Sequence, residues 1–466
     1  MRVLMASAEV NPFAKVGGMA DVAGSLPKAL HELGVDIRVI MPKYLRVGKA
    51  GQPLQRRVDN VIVPVNDSFV SGCALDESTL PGSEVPVYFV EHHGYFSHEE
   101  VYGRPDELER LAFFCRATLA ACEGLQWTPD VIHLNDWHTG LIPAYICQAQ
   151  SGPATLFTIH NLGYQGQFPG LFDLVGIRRD TPAYWASACC GNLVFAKAGL
   201  VCSDLLNAVS EGYAREIMAP EFGAGRDAIL RDRRDDLFGI VNGIDYSEWD
   251  RAKMPPKREA KAALQKEMGL PVRPEAPLLG IVSRIASQKG FDLVAAAADR
   301  IFRHDAQFVL LGTGEPHLEE AFRQLHTKLP SKVSLRLGFD ADLARRIYAG
   351  SDMFLMPSRY EPCGLGQMIA LAYGTIPVVR ATGGLADTVH ETGDMPNGFV
   401  FEPYEADELA ATVERALAAH ADQARWQQLV QNAYACDFSW TASAKRYVEL
   451  YERALRNRTE RPRWCC

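Results

Sequence analysis

Lys15-Val-Gly-Gly-Met-Ala-Asp21 joins the first predicted strand to the first predicted helix, and this stretch decides the fold. The strand is the run RVLMAS at residues 2–7, and the helix covers residues 22–33. Paired glycines let backbone N–H groups approach a ligand, and a helix that begins near Asp21 points its positive end at the same place. Lys15 adds a cation. The pattern is typical of an anion-binding corner at the carboxyl end of a parallel sheet, or of a plain turn with a solvated lysine.

The alternation of strands and helices continues through both halves of the chain. Strands are predicted by VDIRVIMP, VPVYFVE, DVIHLN, ATLFTIH and LLNAVS, and then by PLLGIVSR, QFVLLG, VSLRLG, MFLMPS and IPVVRAT. Such alternation predicts mostly parallel sheets with helices on both faces. A proline- and charge-rich stretch at residues 250–277, with a helical piece at 259–269, separates the halves. We predict an α/β protein with two Rossmann-like, doubly wound domains, residues 1–243 and 244–440, and a segment 441–466 made of a final helix to about Leu455 and a basic tail.

Composition limits the possible functions. The chain has 466 residues, a net charge of −9 and 11 cysteines that form no CxxC pair. The acidic balance argues against a general nucleic-acid binder. The scattered cysteines suggest neither a zinc site nor a disulfide framework, so reduced thiols in a cytoplasm are expected. No uncharged apolar run reaches membrane-spanning length, and Glu9 interrupts the only stretch that could begin a signal peptide.

A loop in the second half carries the charges expected of a phosphate site. Ser283-Arg-Ile-Ala-Ser-Gln-Lys-Gly290 follows the strand LLGIV and places Arg284 and Lys289 five residues apart. Arginine binds phosphate with a planar fork and lysine as a point charge, so together they can hold one diphosphate and neutralise it as it departs. A solvated basic turn is the alternative. Because the loop directly follows a buried strand, we favour the phosphate site.

The loop at residues 357–367, Pro-Ser-Arg-Tyr-Glu-Pro-Cys-Gly-Leu-Gly-Gln, combines glycines with a carboxylate. Its glycines and the helix after it offer another anion-binding N-terminus. Glu361 would repel a phosphate there, so it is expected to bind sugar hydroxyls, with helix capping as the alternative. Cys363 is expected to be a packed small residue, because no histidine lies nearby in sequence. Gly383-Gly-Leu-Ala-Asp387 echoes Gly17-Gly-Met-Ala-Asp21 and suggests one glycine corner in each domain.

Polar residues also end the strands of the first domain. Four of them could be read as a metal set: His133, Asp136, His138 and His160. No pair is spaced i, i+4 on a helix, so we favour sugar-hydroxyl ligands over a metal. Asp340-Ala-Asp342 resembles a metal-binding motif but precedes a helix and is expected to cap it. Gly312-Thr-Gly314 lacks the third glycine of a dinucleotide fingerprint, which weakens an NAD-binding interpretation.

Eight motifs together point to one family: KVGG, DWHTGLIPAY, TIHNLGYQG, FAKAGL, VNGID, SRIASQKG, PSRYEPCGLGQ and ATGGLADTV. With them the chain resembles, nearly end to end, the bacterial glycogen synthase and plant starch synthase family of glycosyltransferases. The resemblance implies the GT-B fold, two Rossmann-like domains around a deep cleft with the last helix crossing back to the first domain. It implies a cytoplasmic enzyme that transfers glucose from ADP-glucose to the nonreducing end of an α-1,4-glucan such as glycogen, with retained configuration. No metal, other cofactor, nucleic acid or membrane is implied.

The resemblance also implies roles for individual residues. The residues expected in catalysis are Lys15, Asp136, His160, Arg284, Lys289 and Glu361. Those expected at the donor are Lys15, Gly17, Gly18, Asn242, Arg284, Lys289, Phe339, Glu361, Cys363, Gly364, Leu365 and Gly366, with Phe339 against the adenine. Those expected at the acceptor and the transferred sugar are Tyr95, Asp136, His160 and Asn161.

Retention raises the question of the nucleophile. A double displacement needs a carboxylate opposite the nucleotide, and Glu361 at the diphosphate corner is poorly placed for it. We therefore favour front-face attack, in which the acceptor 4-OH enters beside the departing diphosphate and gives its proton to a diphosphate oxygen. Three rivals stay open: UDP-glucose as donor, an inactive glucan-binding homologue, and an NAD oxidoreductase.

Some positions depart from the family pattern. Gly366 stands where threonine is usual, and Asn135 replaces the usual histidine before Asp136. Ala188-Cys-Cys190 stands where a Leu-Glu-Phe run is common, which puts acceptor contacts there in doubt. Ile369 stands where a larger related family, which includes sucrose-phosphate synthase, has a second glutamate.

Overall fold

The structure is a computed structural model that describes residues 1–460. The chain forms two compact units: unit 1 comprises residues 1–243 and the helix that begins at Trp440, and unit 2 comprises residues 244–439. Most of the basic tail, with Cys465 and Cys466, lies outside the described residues.

Unit 1 carries a large sheet and eight helices before residue 243, among the residues described. Its strands are β1 (Arg2–Ala6), β2 (Asp36–Pro42), β3 (Gln55–Asn66), β4 (Phe69–Thr79), β5 (Pro86–Glu91), β6 (Val131–Asn135), β7 (Ala154–Ile159), β8 (Gln167–Pro169), β9 (Ala188–Cys189), β10 (Asn192–Val194), β11 (Leu205–Ala208) and β12 (Leu237–Gly239). Its helices are α1 (Gly18–Glu32), α2 (His93–Phe96), α3 (Glu107–Gly124), α4 (Leu141–Ala149), α5 (Pro182–Ser187), α6 (Phe195–Cys202), α7 (Glu211–Glu216) and α8 (Asp227–Asp232).

The large sheet of unit 1 has the strand order β12-β11-β7-β6-β1-β2-β5-β4-β3. All neighbours are parallel except β3 with β4 and β4 with β5. The central strands β1, β6 and β7 are apolar and buried on both faces, as parallel strands between helices must be. The order reverses between β1 and β6, and doubly wound sheets bind ligands at such a reversal, beyond the strands' carboxyl ends.

Unit 2 repeats the same architecture in a smaller form. Its strands are β13 (Leu278–Val282), β14 (Gln307–Gly312), β15 (Val333–Leu337), β16 (Met353–Met356), β17 (Ile376–Arg380) and β18 (Phe399–Phe401). Its helices are α9 (Lys257–Glu267), α10 (Phe291–Ile301), α11 (Pro316–Lys328), α12 (Ala341–Gly350), α13 (Gly366–Ala372), α14 (Gly383–Thr388), α15 (Ala406–Ala421) and α16 (Gln423–Ala435). The sheet is parallel throughout, with the Rossmann order β15-β14-β13-β16-β17-β18, so its reversal lies between β13 and β16.

The last helix, α17 (Trp440–Glu460), packs in unit 1 and extends beyond the predicted end near Leu455. Tyr451 hydrogen-bonds His133 Nδ1 at 2.8 Å, and Asn207 Nδ2 donates to the Tyr447 hydroxyl at 3.0 Å. Arg458 forms an ion pair with the buried Asp204 at 3.3 Å. These contacts join the end of the chain to the central strands of the first sheet.

The predicted Rossmann-like α/β architecture of both units is confirmed, and three features differ from the sequence-based expectations. Helix α1 begins at Gly18, not near Asp21, so the second glycine of the pair is already helical. The long hairpin β3–β4 was missed, because exposed and buried residues are mixed along both strands. The small antiparallel sheet β8-β10-β9 was also missed, since its strands have only two or three residues. Among residues 1–460, no helix has the length and hydrophobicity needed to span a bilayer.

Candidate active site

The candidate residues fall into two groups, one at the carboxyl end of the central strands in each unit. Most of those in unit 1 follow β1, β6 and β7, and most of those in unit 2 follow β13 and β16; the exceptions are Tyr95 after β5, Asn242 after β12 and Phe339 after β15. These loops flank the reversal of strand order in each sheet, where parallel sheets leave room for a ligand. The two groups therefore occupy equivalent positions in two similar folds.

Glu9 occupies the glycine corner after β1. Its Oε2 accepts the backbone N–H groups of Val16 at 2.5 Å and of Gly17 at 2.9 Å, and the Tyr102 hydroxyl donates to Oε1 at 3.1 Å. Burial raises the pKa of Glu9, and the two backbone hydrogen bonds oppose that shift. The backbone donors of this corner are thus occupied by a carboxylate of the chain itself, that of Glu9. The exposed N–H of Gly18 is the first donor with no acceptor among the described residues.

Lys15 lies at the edge of this corner and is half exposed. Its Nζ donates to Asp21 Oδ1 at 2.6 Å, so it bridges the start of α1 and is not the free cation that its sequence suggested. Burial raises the pKa of Asp21, and the charge of Lys15 opposes that shift. A phosphate that binds Lys15 must compete with Asp21 for the ammonium group.

Asp136 follows β6 in a strained conformation. Its φ is 59° and its ψ is −178°, a region that residues other than glycine rarely adopt, at a cost of about 1–3 kcal/mol. Its Oδ1 faces the backbone N–H groups of His160 at 3.2 Å and Asn161 at 3.5 Å. Burial raises the pKa of Asp136 to about 8. A buried carboxyl held by local strain beside the end of β7 is typical of a functional site.

Asn135 fixes the orientation of His160. Its Nδ2 donates to the carbonyl of Ala6 at 3.1 Å, so its Oδ1 faces His160 Nε2 at 2.9 Å. Because an amide oxygen can only accept, Nε2 must carry the proton, and Nδ1 keeps a lone pair. Burial lowers the pKa of His160 to about 3, so the ring is neutral. Asn135 therefore gives His160 one defined tautomer.

The other unit 1 candidates have different surroundings. The side-chain Oδ1 of Asn161 accepts Gly163 N–H at 3.0 Å and shapes the loop after β7. Asn242 is buried, and its Oδ1 has no hydrogen-bond partner among the described residues. Tyr95 stacks on His92 at 4.5 Å between ring centroids and contacts Phe113 at 5.2 Å, which places it in an aromatic cluster.

Lys289 and Glu361 form the centre of the unit 2 group. Lys289 Nζ donates to Glu361 Oε1 at 2.8 Å and Oε2 at 2.6 Å, and Ser358 Oγ donates to Oε2 at 3.0 Å. The Glu361 side chain is only 7% exposed and that of Lys289 is 20% exposed. The pair joins the loop after β13 to the loop after β16. Glu361 therefore is not a helix cap: its carboxylate balances the charge of the lysine.

The glycines near Glu361 allow close contacts between backbones. Gly364 has a φ of 77°, a conformation that favours glycine. A Cβ on Gly383 would lie 2.0 Å from the Glu361 carbonyl oxygen, and one on Gly384 would lie 2.1 Å from the Cys363 carbonyl oxygen. The N–H of Gly384 donates to the Glu361 carbonyl at 3.1 Å. The Gly383–Gly384 pair thus packs directly against the backbone of the Glu361 loop. Its sequence resembles that of Gly17–Gly18, but its structural role is different.

A cavity of about 110 Å³ lies beside the Lys289–Glu361 pair. It is lined by Ile281, Val282, Ser283, Lys289, Tyr348, Leu355, Met356, Ser358, Glu361, Gly364, Leu365 and Gly366. A Cβ on Gly366 would lie 3.1 Å from Phe354, 3.2 Å from Met356 Sδ and 3.3 Å from the Tyr348 hydroxyl. These side chains leave little room for a larger residue at this position. Cys363 is buried, as its sequence context predicted.

Two candidates in unit 2 stand open to solvent. The side chain of Arg284 is exposed and has no hydrogen-bond or ion-pair partner among residues 1–460. Phe339 follows β15 and is 91% exposed, which is unusual for so large an apolar ring. Asp340, beside it, accepts the N–H of Leu343 and caps α12 as expected. Within the described part of the chain, no three His, Cys, Asp or Glu side chains are grouped to hold a metal ion.

Sequence reasoning missed Glu9, Asn135 as a partner of His160, and Ser358. Glu9 was read as a charge that interrupts an apolar stretch, and its role depends on the turn that brings Val16 and Gly17 back to it. The signal that could have found it is an acid within an apolar run just before a glycine pair. Asn135 and Ser358 are neighbours of predicted residues, but their partners depend on rotamers that no pattern encodes.

Comparisons with known proteins were consistent over the whole chain. The family model described as starch synthase catalytic domain matches residues 2–232, and the model described as glycosyl transferases group 1 matches residues 266–434. The chain is 44% identical to a glycogen synthase of Thermotoga maritima, over 98% of this chain and 99% of the relative, and 43% identical to one of Moorella thermoacetica, over 98% of each.

Two solved structures also match. The catalytic domain of starch synthase IV from Arabidopsis thaliana, bound to ADP and acarbose, has a TM-score of 0.87 and 32% identity, over 98% of this chain and 99% of that one. A sucrose-phosphate synthase from Thermosynechococcus elongatus has a TM-score of 0.62 at 20% identity, over 97% of this chain and 98% of that one, and supports the fold alone.

Proposed function

The chain belongs to the glycogen synthase and starch synthase family of glycosyltransferases, and on that premise we propose that it transfers glucose from ADP-glucose to the nonreducing end of an α-1,4-glucan. The observation that carries the proposal is the Lys289–Glu361 pair at the strand reversal of unit 2. The pair places a cation, which can bind phosphate, beside a carboxylate, which can accept hydrogen bonds from hydroxyl groups. A nucleotide sugar carries both kinds of group, a diphosphate and sugar hydroxyls. The ADP and acarbose bound to the Arabidopsis enzyme support the choice of an adenine nucleotide and an α-glucan.

In our proposal unit 2 holds the donor. Arg284, which has no competing partner among the described residues, and Lys289 bind the diphosphate and neutralise the charge that develops on it as the bond from C1 to the diphosphate oxygen breaks. Glu361 accepts hydrogen bonds from the glucose hydroxyls. The exposed Phe339 ring stacks on the adenine, which would account for an apolar side chain left in solvent. Gly364, Leu365 and Gly366 line the cavity beside these groups and leave room for the sugar.

In the same proposal unit 1 binds the transferred glucosyl group and the acceptor. The lone pair at His160 Nδ1 accepts a hydrogen bond from a sugar hydroxyl, because Asn135 holds the proton on Nε2. The protonated carboxyl of Asp136 and the amide of Asn161 offer further donors. Asn242, with an unsatisfied buried oxygen, and Tyr95 complete the set. Lys15 is a further candidate ligand for a phosphate group, which it can bind only when it releases Asp21.

We propose that the reaction retains the anomeric configuration by front-face attack. The acceptor 4-OH forms the new bond to C1 on the side from which ADP departs, the bond from C1 to the diphosphate oxygen breaks, and the hydroxyl proton passes to that oxygen. Glu361 serves as a hydroxyl ligand and not as a nucleophile, because it lies beside Lys289 at the diphosphate corner, whereas a double displacement needs a carboxylate on the opposite face of the sugar. Two cations of unit 2, Arg284 and Lys289, stabilise the leaving group, so no metal is required.

The test is incorporation of labelled glucose into glycogen by the full chain. ADP-[¹⁴C]glucose and UDP-[¹⁴C]glucose are compared, each with and without EDTA, and the product is digested with an α-1,4-specific exo-hydrolase. We expect label from ADP-glucose, unaffected by EDTA and fully released by the hydrolase. Faster incorporation from UDP-glucose would overturn the donor assignment, and loss of activity in EDTA would overturn the metal-free mechanism. No label from either donor would refute the enzyme itself.

A further inference from the structure

The β9–β10 hairpin of unit 1 carries two adjacent cysteines at its tip. Cys189 ends β9 and pairs with Asn192 of β10, so Cys190 and Gly191 form the two-residue loop. Their φ values of 50° and 80° are those of a type I′ turn, which normally takes Asn-Gly. A cysteine is therefore present where the backbone does not favour it. The two Sγ atoms lie 4.0 Å apart, and Cys190 is exposed.

Two cations surround the first of these cysteines. Arg226 Nη1 donates to Cys189 Sγ at 3.3 Å. Lys197 Nζ donates to the carbonyls of Ala188 at 2.6 Å and Trp185 at 2.7 Å, next to Cys189 in the chain. The hydrogen bond from Arg226 lowers the pKa of Cys189, and the charges of Arg226 and Lys197 act in the same direction.

Four other cysteines of the chain have the opposite environment. Burial raises the pKa of Cys73, Cys115 and Cys122, each to about 12, and Cys436 is also raised. A thiolate in an electropositive, accessible place is the reactive form of cysteine, whereas a buried thiol in apolar surroundings is inert. Cys189 combines that reactive environment with a second thiol within reach of its sulfur, and the proposed reaction uses neither.

We propose that Cys189 and Cys190 form a thiol–disulfide exchange site for a low-molecular-weight disulfide. The Cys189 thiolate attacks one sulfur of the small disulfide, whose S–S bond breaks and releases one thiolate that takes a proton from solvent. The Cys190 thiol then loses its proton and attacks Cys189 Sγ, and the second small thiol leaves. The two cysteines give up two electrons and form a Cys189–Cys190 disulfide, and the small disulfide becomes two thiols.

The product disulfide is strained and therefore easily reversed. Adjacent Cα atoms are about 3.8 Å apart across a trans peptide, which is shorter than the span of about 4.4–6.8 Å usual for a disulfide. Strained, exposed disulfides have more oxidising potentials and are readily reduced by small thiols. The site thus responds to the ratio of small disulfide to thiol and does not lock the chain permanently.

Arg226 connects this site to the loop after β7. Its Nε donates to Gln165 Oε1 at 2.9 Å, and Gln165 Nε2 donates to the Ala224 carbonyl at 2.8 Å. Gln165 follows the His160–Asn161 pair in the same loop, and its carbonyl accepts the N–H of Ala196 at 3.0 Å. Arg226 donates both to Cys189 Sγ and to Gln165 Oε1, and oxidation replaces the thiolate that accepts the first of these hydrogen bonds with a weaker disulfide acceptor. The effect on activity rests on the proposed function: glucan binding should weaken while nucleotide-sugar binding does not.

The test maps the products of oxidation on the full chain. Reduced protein is freed of reductant and incubated with oxidised glutathione at pH 7, free thiols are blocked with N-ethylmaleimide, and peptides are identified by mass spectrometry. In the wild type we expect the peptide with both cysteines to lose two hydrogens. Cys190→Ser should keep one glutathione on Cys189, and in Cys189→Ser the reaction of Cys190 should be at least about 10-fold slower.

Two arginine variants separate the electrostatic cause from a structural one. Arg226→Gln should slow modification of Cys189 several-fold, and Arg231→Gln, on the adjacent helix α8, should leave it unchanged. Thermal unfolding confirms that each variant is folded. Equal rates at Cys189 and Cys190, an unchanged rate in Arg226→Gln, or no disulfide in the wild type would overturn the site.

A transferase assay adds the functional arm. Oxidation of the wild type should raise the KM for glycogen at least about 3-fold, leave the KM for the nucleotide sugar unchanged, and be reversed by dithiothreitol. Cys189→Ser should be insensitive to the oxidant. An oxidised wild type with unchanged KM for glycogen would overturn the coupling through Arg226. Because the mass readout needs no catalysis, a chain with no transferase activity would refute the proposed function and still test the exchange site.

Discussion

The Lys289–Glu361 pair makes one quantitative prediction about the ligand-free chain. The two charges neutralise each other in a place where the Glu361 side chain is 7% exposed, and within residues 1–460 only Ser358 gives the carboxylate a further side-chain hydrogen bond. Lys289→Met should leave a buried carboxylate without its cation. Glu361→Gln should leave an ammonium group that is 20% exposed and can still reach water. The double variant Lys289→Met/Glu361→Gln removes both charges and keeps both shapes.

The expected magnitudes follow from burial. Breaking a buried ion pair costs about 3–5 kcal/mol, and the partial exposure of Lys289 places Lys289→Met near 3 kcal/mol. Glu361→Gln should cost about 1–2 kcal/mol, because the glutamine oxygen can still accept from Ser358. The double variant should lose only about 1 kcal/mol, which gives a coupling energy of about 3 kcal/mol between the two side chains.

The assay must report on unit 2 alone, since a chain of two units need not unfold in one step. Hydrogen exchange of peptides from β13 and β16 in increasing urea gives the local free energy of unfolding in the full chain. The matched control is Lys328–Asp299, an ion pair of 2.7 Å in the same unit with side chains that are 62% and 81% exposed. The coupling energy of that pair should stay below about 1 kcal/mol.

Activity gives the second readout of the same variants. Lys289→Met and Glu361→Gln should each lower kcat by at least ~100-fold, or ~2.7 kcal/mol, and the double variant should be no worse than the product of the two. A coupling energy for Lys289–Glu361 no larger than that of the surface control would refute the buried pair. Near-wild-type turnover in either single variant would show that its role in transfer is misassigned.

Three further predictions concern unit 1 and the cavity beside Glu361. Asp136→Asn should gain stability relative to the wild type as the pH rises from 4 to 8, because the Asp136 carboxyl, with a pKa raised to about 8, keeps its proton in the folded protein and loses it in the unfolded chain. A stability difference that is the same at pH 4.5 and pH 8 in thermal unfolding would contradict this. Asn135→Leu should lower kcat about 10–100-fold, because His160 loses the acceptor that fixes its tautomer, whereas Asn135→His, which also offers one donor and one acceptor, should keep most of the wild-type kcat. Equal kcat values for the two variants would argue against a fixed tautomer. Gly366→Thr should destabilise unit 2 by about 1–3 kcal/mol through contacts with Tyr348 and its neighbours, as measured by hydrogen exchange; an unchanged value would mean that the space is open.

Much of the fold was predictable because parallel strands buried on both faces are short apolar runs. β1, β6, β13 and β16 are all such runs, and each ends at a polar or glycine-rich loop. Once the strands are placed, the candidate residues after them must gather at one edge of each sheet. The hairpin β3–β4 escaped prediction for the opposite reason, since exposed residues are mixed with buried ones and neither strand is buried along its whole length.

The pairing of charges could not be predicted in the same way. Lys289 and Glu361 are 72 residues apart, and nothing local shows that their loops meet. Repeated sequence was misleading as well: Gly383 and Gly384 lie against the backbone of the Glu361 loop, whereas a Cβ on Gly17 would meet Glu9 only at 3.6 Å, an ordinary contact. In unit 2 the glycines are therefore required by a close contact between two backbone segments, whereas at Gly17 in unit 1 no such contact exists among the described residues.

Glu9 changes what the corner after β1 can offer to a phosphate. It already accepts the N–H groups of Val16 and Gly17, so the backbone donors left over begin with Gly18. A second anion would lie close to the Glu9 carboxylate and would be repelled unless Lys15 stood between them. Lys15 can do so only when it leaves Asp21. Burial already raises the pKa of Asp21, and loss of the lysine removes the charge that opposes this shift, so Asp21 then takes up a proton more readily. Phosphate binding at this corner should therefore depend on the lysine far more than on the paired glycines, which is the reverse of what the sequence of the loop first suggests.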